Sequence, residues 1–326
     1  MNPNDSSTPA EAVRLLPAID VDRLVADLKT ARDHLWDEQS SFVNGKVSRW
    51  AEQDWRVLSV RSPGGDKTRT DPGGPGSAEF ADTEWLEHMP YVQEILRSIP
   101  SPLYAVRFMD LGPGVIGYPH SDPKFSPDWG MARLHVPVTT HEEALLDLDG
   151  QIHRWQPGEF WFGDFSRKHQ IQNTGPEHRV HLVIDVLVTA ELAQLFPADW
   201  AGYFTSTEVL YNRAAVATTE RERDAARCSF DAPAHLLEIE VFESLTGAQP
   251  QASFSIEDTG TGLAIRSPQN HLFPLAALGG HEYRLVGWSE ERTVTTKLDG
   301  PAPEVELAYR KGDRTQRLLV PATPAA

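Results

Sequence analysis

The chain holds one cysteine, Cys228, in 326 residues, and its 30 lysines and arginines are outnumbered by 47 aspartates and glutamates. A single cysteine makes no internal disulfide, and its surroundings, RERDAARCSF, offer no triad-like partner for a nucleophile, so it fits a reducing cytoplasm. The net charge of −17 argues against nucleic acid and against an acidic membrane face, both of which call for a basic patch. No apolar run approaches the roughly 18 residues that cross a bilayer. The opening MNPNDSSTPAEA lacks the basic start and apolar core of a secretory signal, and residues 1–15 are expected to form a disordered arm. What is present, 40% hydrophobic and 9% aromatic side chains, is the composition of an ordinary globular enzyme. The length leaves room for one large domain and a smaller one.

Asp20 is placed to cap a helix in which Val21, Leu24, Val25, Leu28 and Leu35 recur at helical spacing. A second helix is expected around Tyr91–Ile99, with Pro90 tolerated in its first turn. Between them, Arg61–Phe80 is rich in glycine and proline and reads as a long mobile loop, placed to act as a lid. From Leu103 the period becomes that of strands: LYAVRFMDL, RLHVPV, a hairpin turning at Asp149-Gly150, EFWFGDF, and RVHLVIDVLV. Short strands separated by turn residues predict a mainly β fold with flanking helices. Its core would be a double-stranded β-helix of the jelly-roll or cupin-like kind over residues 16–190. Residues 191–230 favour helix by composition and are expected to be a helical connector. Strand-like stretches then return (LLEIEVFESL, ASFSIED, EYRLVGW, TVTTKL and VELAYRK), predicting a separate β-rich module over 231–326. That module offers no convergent set of catalytic residue types.

The chemistry-bearing residues cluster in the predicted core. His120-Ser-Asp122 is followed by His169 and, ten residues later, by Arg179. Side chains two apart on a strand share a face, so His120 and Asp122 point into one interior, and His169 follows beside a strand that faces it. Two imidazoles and a carboxylate occupy one face of an iron(II) ion and leave the other positions open. Arg107 with Met109, and Arg133 with His135, share faces in the same way. A buried guanidinium is costly unless paired, so these arginines suggest an anionic ligand, and Arg179 is placed to pair bidentately with a carboxylate. By spacing alone, the same residues also fit three unconnected polar positions.

The ordered string Pro-His120-Ser-Asp122, Arg133-Leu-His135-Val-Pro, Gly-Glu159-Phe-Trp161, His169 with Asn173 and Gly175, and Arg179-Val-His181-Leu resembles the aspartyl/asparaginyl β-hydroxylase family. That family includes bacterial free-proline hydroxylases and belongs among the iron-dependent 2-oxoglutarate oxygenases. The resemblance covers roughly residues 100–190. It implies His120, Asp122 and His169 as Fe(II) ligands, Arg179 on the distal carboxylate of 2-oxoglutarate, and His135 near the proximal one. It also implies Arg133 near that carboxylate or, with Arg107, near a substrate carboxylate. The implied reaction consumes O2 and 2-oxoglutarate and hydroxylates an unactivated carbon of a carboxylate-bearing substrate, an amino acid that is free, carrier-bound or peptidyl. Met109 stands where some relatives carry a serine that helps hold 2-oxoglutarate, and the β-rich C-terminal module differs from the shorter helical tail of the proline hydroxylases. Two other readings of the residues are a zinc hydrolase and a non-catalytic cupin-type barrel that binds a small acid.

Overall fold

The computed structural model describes residues 9–32, 36–43, 46–49, 54–238 and 250–325. Alternation along three long strands, Leu103–Leu111, Met131–Thr139 and Arg179–Leu187, decides which face each side chain joins. Val106, Phe108, Leu134, Val136, Leu182 and Ile184 enter one apolar cluster. The helices Val21–Arg32 and Pro90–Ser98 complete that cluster with Leu24, Leu28, Val92 and Ile95. Burying each such side chain is worth roughly 1.5–3 kcal/mol, so the helical layer fixes which face of the sheet it covers. Arg107, Met109, Arg133, His135 and Val183, offset by one residue, are thereby turned to the opposite face, where they line a cavity.

These strands belong to an antiparallel sheet ordered Ala12–Arg14, Trp161–Gly163, Met131–Thr139, Arg179–Leu187, Leu103–Leu111, Trp55–Pro63 and Asp37–Glu38, with Phe80–Asp82 paired to Trp55–Pro63. A three-stranded sheet of Gln151–His153, Ala144–Leu148 and His169–Asn173 accompanies it. Trp55, Leu111, Leu146, Leu148, Phe165 and Ile171 join the two in a second apolar cluster. This is the jelly-roll arrangement expected of the core. The Asp149-Gly150 turn has φ of 53° and 82°, the left-handed pair that a two-residue hairpin of matching twist requires. No helix among the described residues is long and apolar enough to cross a membrane.

Three expectations are corrected. The N-terminal arm is not disordered throughout: Ala12–Arg14 pairs with Trp161–Gly163, while residues 1–8 lie outside the described ones. The stretch Arg61–Phe80 is a packed wall rather than an open loop. Thr70 and Asp71 are buried, Arg69 grips Asp71 through two hydrogen bonds of 2.6 and 2.8 Å, and Arg107 Nη1 donates to the Thr70 carbonyl (3.2 Å). The connector is helical only in short pieces, such as the 3-10 turn Ala190–Leu195 and the helix Glu220–Ala225. Residues 206–219 run without helix because tertiary hydrogen bonds override propensity. Leu210 N donates to the Pro127 carbonyl and Asn212 N to the Val188 carbonyl (both 2.9 Å), while the Asn212 side chain bonds the Gly130 and Val188 carbonyls.

The C-terminal strands form a closed antiparallel barrel of eight, from Cys228–Pro233 to Arg314–Pro324, each paired with its sequence neighbour and the last with the first. Of the expected strand LLEIEVFESL, Leu236 and Leu237 lie in a turn and residues 239–249 fall outside the described ones. The barrel is packed with Phe230, Ile256, Ile265, Leu285, Val305 and Leu307, and the same apolar cluster continues into Tyr104, Phe125, Met131 and Leu187 of the jelly roll. Backbone joins backbone there too. Gly76 (φ 84°) and Gly287 (φ 79°) sit where a Cβ would meet the Phe273 ring at 2.6 Å and the Gly74 carbonyl oxygen at 2.4 Å, so both positions require glycine. Across the boundary Lys124 Nζ donates to Glu291 Oε1 (2.7 Å), with both side chains buried.

The shared cluster and this ion pair predict that the two parts unfold together. Glu291→Ala, which removes a buried counter-charge, is expected to lower the unfolding free energy by about 3–5 kcal/mol. In urea, tryptophan fluorescence and far-ultraviolet circular dichroism should report one coincident transition. Two separated transitions would show that the barrel folds independently.

Candidate metal centre and cosubstrate cavity

His120 and His169 face each other across an isolated antiparallel bridge, closed by N–H···O bonds of 3.0 and 2.7 Å in the two directions. Asp122 N donates to the Phe165 carbonyl (2.9 Å), which fixes the carboxylate beside the two rings. One ligand atom from each of His120, Asp122 and His169 lies within 4.8 Å of the others. Among the described residues no other three histidine, cysteine or carboxylate side chains converge in this way.

The second nitrogen of each ring is already used. His120 Nδ1 lies 2.8 Å from the Tyr118 carbonyl and His169 Nδ1 lies 3.0 Å from the Arg167 carbonyl. A carbonyl accepts, so Nδ1 carries the proton and Nε2 presents a lone pair, the tautomer a metal ligand needs. Burial also holds the His169 imidazole below its ordinary pKa, favouring the neutral, ligating form. Asp122 Oδ1 lies 3.6 Å from His120 Nε2, while Oδ2 accepts from Arg133 Nη1. Burial raises the Asp122 carboxyl, but Arg133, the two histidines and Arg107 together outweigh it and the group stays below the usual carboxylate range. Two imidazoles, each with Nε2 turned from its carbonyl partner, and one carboxylate fit a divalent metal with open positions.

Arg133 does more than contact Asp122. Its Nε and Nη2 donate to Asp185 Oδ1 and Oδ2 (2.6 and 3.1 Å), and Arg107 Nη2 donates to the same Oδ2 (3.2 Å). All three side chains are buried. Arg107 and Arg133, read from the sequence as substrate-binding, therefore line the cavity but are committed to Asp185. Asp185 carries no role in the sequence reading, although its alternation with Val183 and His181 in RVHLVIDVLV puts it on the inward face.

Arg179 differs. It is buried at the start of its strand and lines the same cavity, yet among the described residues it makes no hydrogen bond or ion pair. Asp110, the carboxylate whose charge acts on it, is bonded to His178 Nδ1 (2.9 Å). Burial pushes the Arg179 guanidinium down to about 9, the signature of a desolvated cation lacking a counter-charge. His135 also has a buried nitrogen without a partner, Nε2. Its Nδ1 lies 3.4 Å from His181 Nδ1, and burial holds both imidazoles well below their ordinary value. The cavity these groups line has a volume of about 340 Å3 and runs from Arg179 past the metal trio to Phe125 and Trp288. An orphan guanidinium and an orphan imidazole nitrogen at one end, beside the metal trio, fit a dicarboxylate that chelates the metal.

The sequence pattern of one known family, aspartyl/asparaginyl beta-hydroxylase, matches residues 22–188. Among solved structures, the chain resembles a 2OG-Fe(II) oxygenase family oxidoreductase from Burkholderia pseudomallei at 12% identity and a TM-score of 0.38, over 54% of this chain and 85% of that one. It resembles the viral collagen prolyl hydroxylase of Paramecium bursaria Chlorella virus-1, solved with 2OG, at 11% identity and a TM-score of 0.34, over 56% and 99%. It also resembles a Cupin 2 conserved barrel domain protein from Salinispora arenicola at 15% identity and a TM-score of 0.21, over 33% and 73%. The family match takes in just over half of the sequence, and on that ground the chain belongs to the aspartyl/asparaginyl β-hydroxylase family, whose members are hydroxylases that use Fe(II), 2-oxoglutarate and O2.

Proposed function

We propose that His120, Asp122 and His169 hold Fe(II), that Arg179 and His135 hold 2-oxoglutarate, and that the enzyme hydroxylates an unactivated C–H bond of an amino-acid unit. The observation that carries this reading is the buried guanidinium of Arg179, which has no hydrogen-bond or ion-pair partner among the described residues and lines the cavity of the three metal-type ligands. A zinc hydrolase gives Arg179 no task, and a barrel that merely binds a small acid needs no such trio.

When bound, iron(II) and 2-oxoglutarate would together activate O2, one oxygen atom of which ends in succinate, with CO2 released, and the other in the hydroxyl placed on the substrate carbon. The protein's residues set the conditions. Arg133 engages Asp122 Oδ2 and leaves Oδ1 toward the histidines. Tyr118 and Arg167 fix the two imidazole tautomers through their carbonyls. Arg179 presents a planar fork that matches a carboxylate bidentately. His135 serves a carboxylate as donor only if Nε2 carries its proton. His181 Nδ1, 3.4 Å from His135 Nδ1, would arrange this by donating its N–H there. Burial, which keeps both rings neutral, is what allows one nitrogen of the pair to accept. Phe165 stacks on the His135 ring at 4.8 Å and limits its rotation.

Two outcomes follow. His120→Ala, Asp122→Ala and His169→Ala are each expected to abolish Fe(II)-dependent succinate release from 2-oxoglutarate while the circular dichroism spectrum is kept. Near-normal release by two of the three would refute the ligand assignment. Arg179→Ala removes a buried charged partner, at a cost of about 3–5 kcal/mol, so its KM for 2-oxoglutarate should rise by roughly two to three orders of magnitude, with Arg179→Lys in between and Fe(II) affinity little changed. An unchanged KM would hand the distal carboxylate to another cation.

A further inference from the structure

Resting on the reading above, we propose that the substrate is an amino-acyl unit with blocked ends and an uncharged, mainly apolar side chain, and that Trp288 of the C-terminal barrel determines which side chain is accepted. The first observation is a census of charge. Among the described side chains, Arg107, Arg133 and Arg179 are the arginines that line the cavity, and no lysine does. Arg179 is assigned to the cosubstrate, and the other two are hydrogen-bonded to Asp185, with Arg133 also on Asp122. A free α-carboxylate would meet two guanidiniums already bonded to Asp185, with Arg107 Nε alone left unpartnered on them among the described residues, and a free ammonium would find Asp185 fully buried and doubly engaged. Either burial is strongly unfavourable. An amide at the amino end and an amide or thioester at the carboxyl end remove the difficulty, and Gln39, whose Oε1 is unpartnered among the described residues, and Ser41 on the same wall offer uncharged hydrogen-bonding groups to such a backbone.

The second observation is the wall beyond the metal trio. Pro72, Phe125 and Trp288 line it, and the Phe125 and Trp288 rings meet edge to face at 6.1 Å and 80°. Trp288 cannot swing away. Its Nε1 donates to Glu291 Oε2 (3.1 Å), and its carbonyl accepts from Tyr104 Oη (2.7 Å) and Arg284 Nη1 (3.0 Å). The residues after it are tied to the jelly roll: Ser289 Oγ donates to the Trp129 carbonyl (2.6 Å) and Glu290 N to Asn212 Oδ1 (2.8 Å). A rigidly held indole facing the cavity sets the depth and shape available to a side chain, so the barrel forms part of the active site.

The test supplies the full-length enzyme with Fe(II), ascorbate and 2-oxoglutarate. It is offered leucine, valine, proline, phenylalanine, aspartate and asparagine, each as the free amino acid and as the N-acetyl N-methylamide. Succinate and a +16 product are quantified by mass spectrometry. Blocked apolar members should exceed their free and acidic counterparts by about tenfold or more, and Trp288→Ala should shift the phenylalanine-to-valine ratio of kcat/KM by about tenfold, as pocket size allows. Trp288→Phe should stay near the wild type, and 2-oxoglutarate affinity, read from the visible charge-transfer band of the anaerobic chelate, should be unchanged in both variants. Preference for free or acidic members, an unchanged ratio in a folded Trp288→Ala, or no turnover of any member while the band forms would overturn the inference. Absence of the band in the wild type would instead overturn the function on which it rests.

Discussion

The guanidinium of Arg133 lies between two carboxylates, Asp122 and Asp185, and the geometry of the whole cavity depends on that bridge. Three of its nitrogens are engaged. One holds the oxygen of Asp122 that turns away from the histidines, and two hold Asp185, which also takes Arg107. Desolvating a single ion costs several kcal/mol, so no member of this group is stable there alone. Together Arg107, Arg133 and Asp185 tie three adjoining strands to one another, and Asp122 joins them from the irregular chain after His120. Removing one residue's partner would free a charge beside the metal ligands rather than merely lose a contact.

Around that centre the cavity is divided by what is left unpaired. Arg179 and His135 Nε2 lack partners among the described residues, which is the condition expected of groups that wait for an anion. Elsewhere on the wall Arg107 and Arg133 are bonded to Asp185, and the lining includes Pro72, Phe125 and Trp288. The C-terminal barrel supplies one of those rings. Its interior is filled with apolar side chains, so its contribution to the site is made through the Trp288 turn. Lys124, two residues after Asp122, is bonded to Glu291 of the same turn, so the barrel also braces the segment that carries Asp122.

Much of the site was legible in the sequence because strands have a period of two. Arg107 with Met109 and Arg133 with His135 could be assigned to one face, and the structure puts all four on the cavity wall. The jelly roll, both N-terminal helices and the Asp149-Gly150 hairpin were legible for similar local reasons. Other features depend on contacts distant in sequence. The glycine- and proline-rich stretch Arg61–Phe80 signals a mobile loop by composition, yet the barrel packs against it at Gly76 and Gly287. Residues 206–219 have helical composition but are held extended by bonds to Pro127 and Val188. Trp288 carries no local signal at all, since only the docking of the barrel brings it to the cavity. Asp185 was readable by alternation, but a lone acid in an apolar strand gains meaning only once both arginines are seen to converge on it.

The central claim is that one cavity holds a metal at His120, Asp122 and His169 and a dicarboxylate against Arg179. It is tested most directly by a crystal structure of the anaerobic protein soaked with Mn(II), as a redox-inert stand-in for Fe(II), and 2-oxoglutarate. The account predicts anomalous density for one ion bonded by the two imidazoles and Asp122, with the far carboxylate of 2-oxoglutarate paired to the Arg179 guanidinium. Metal density at another site, or a dicarboxylate seated against Arg107 while Arg179 stays unpartnered, would contradict it.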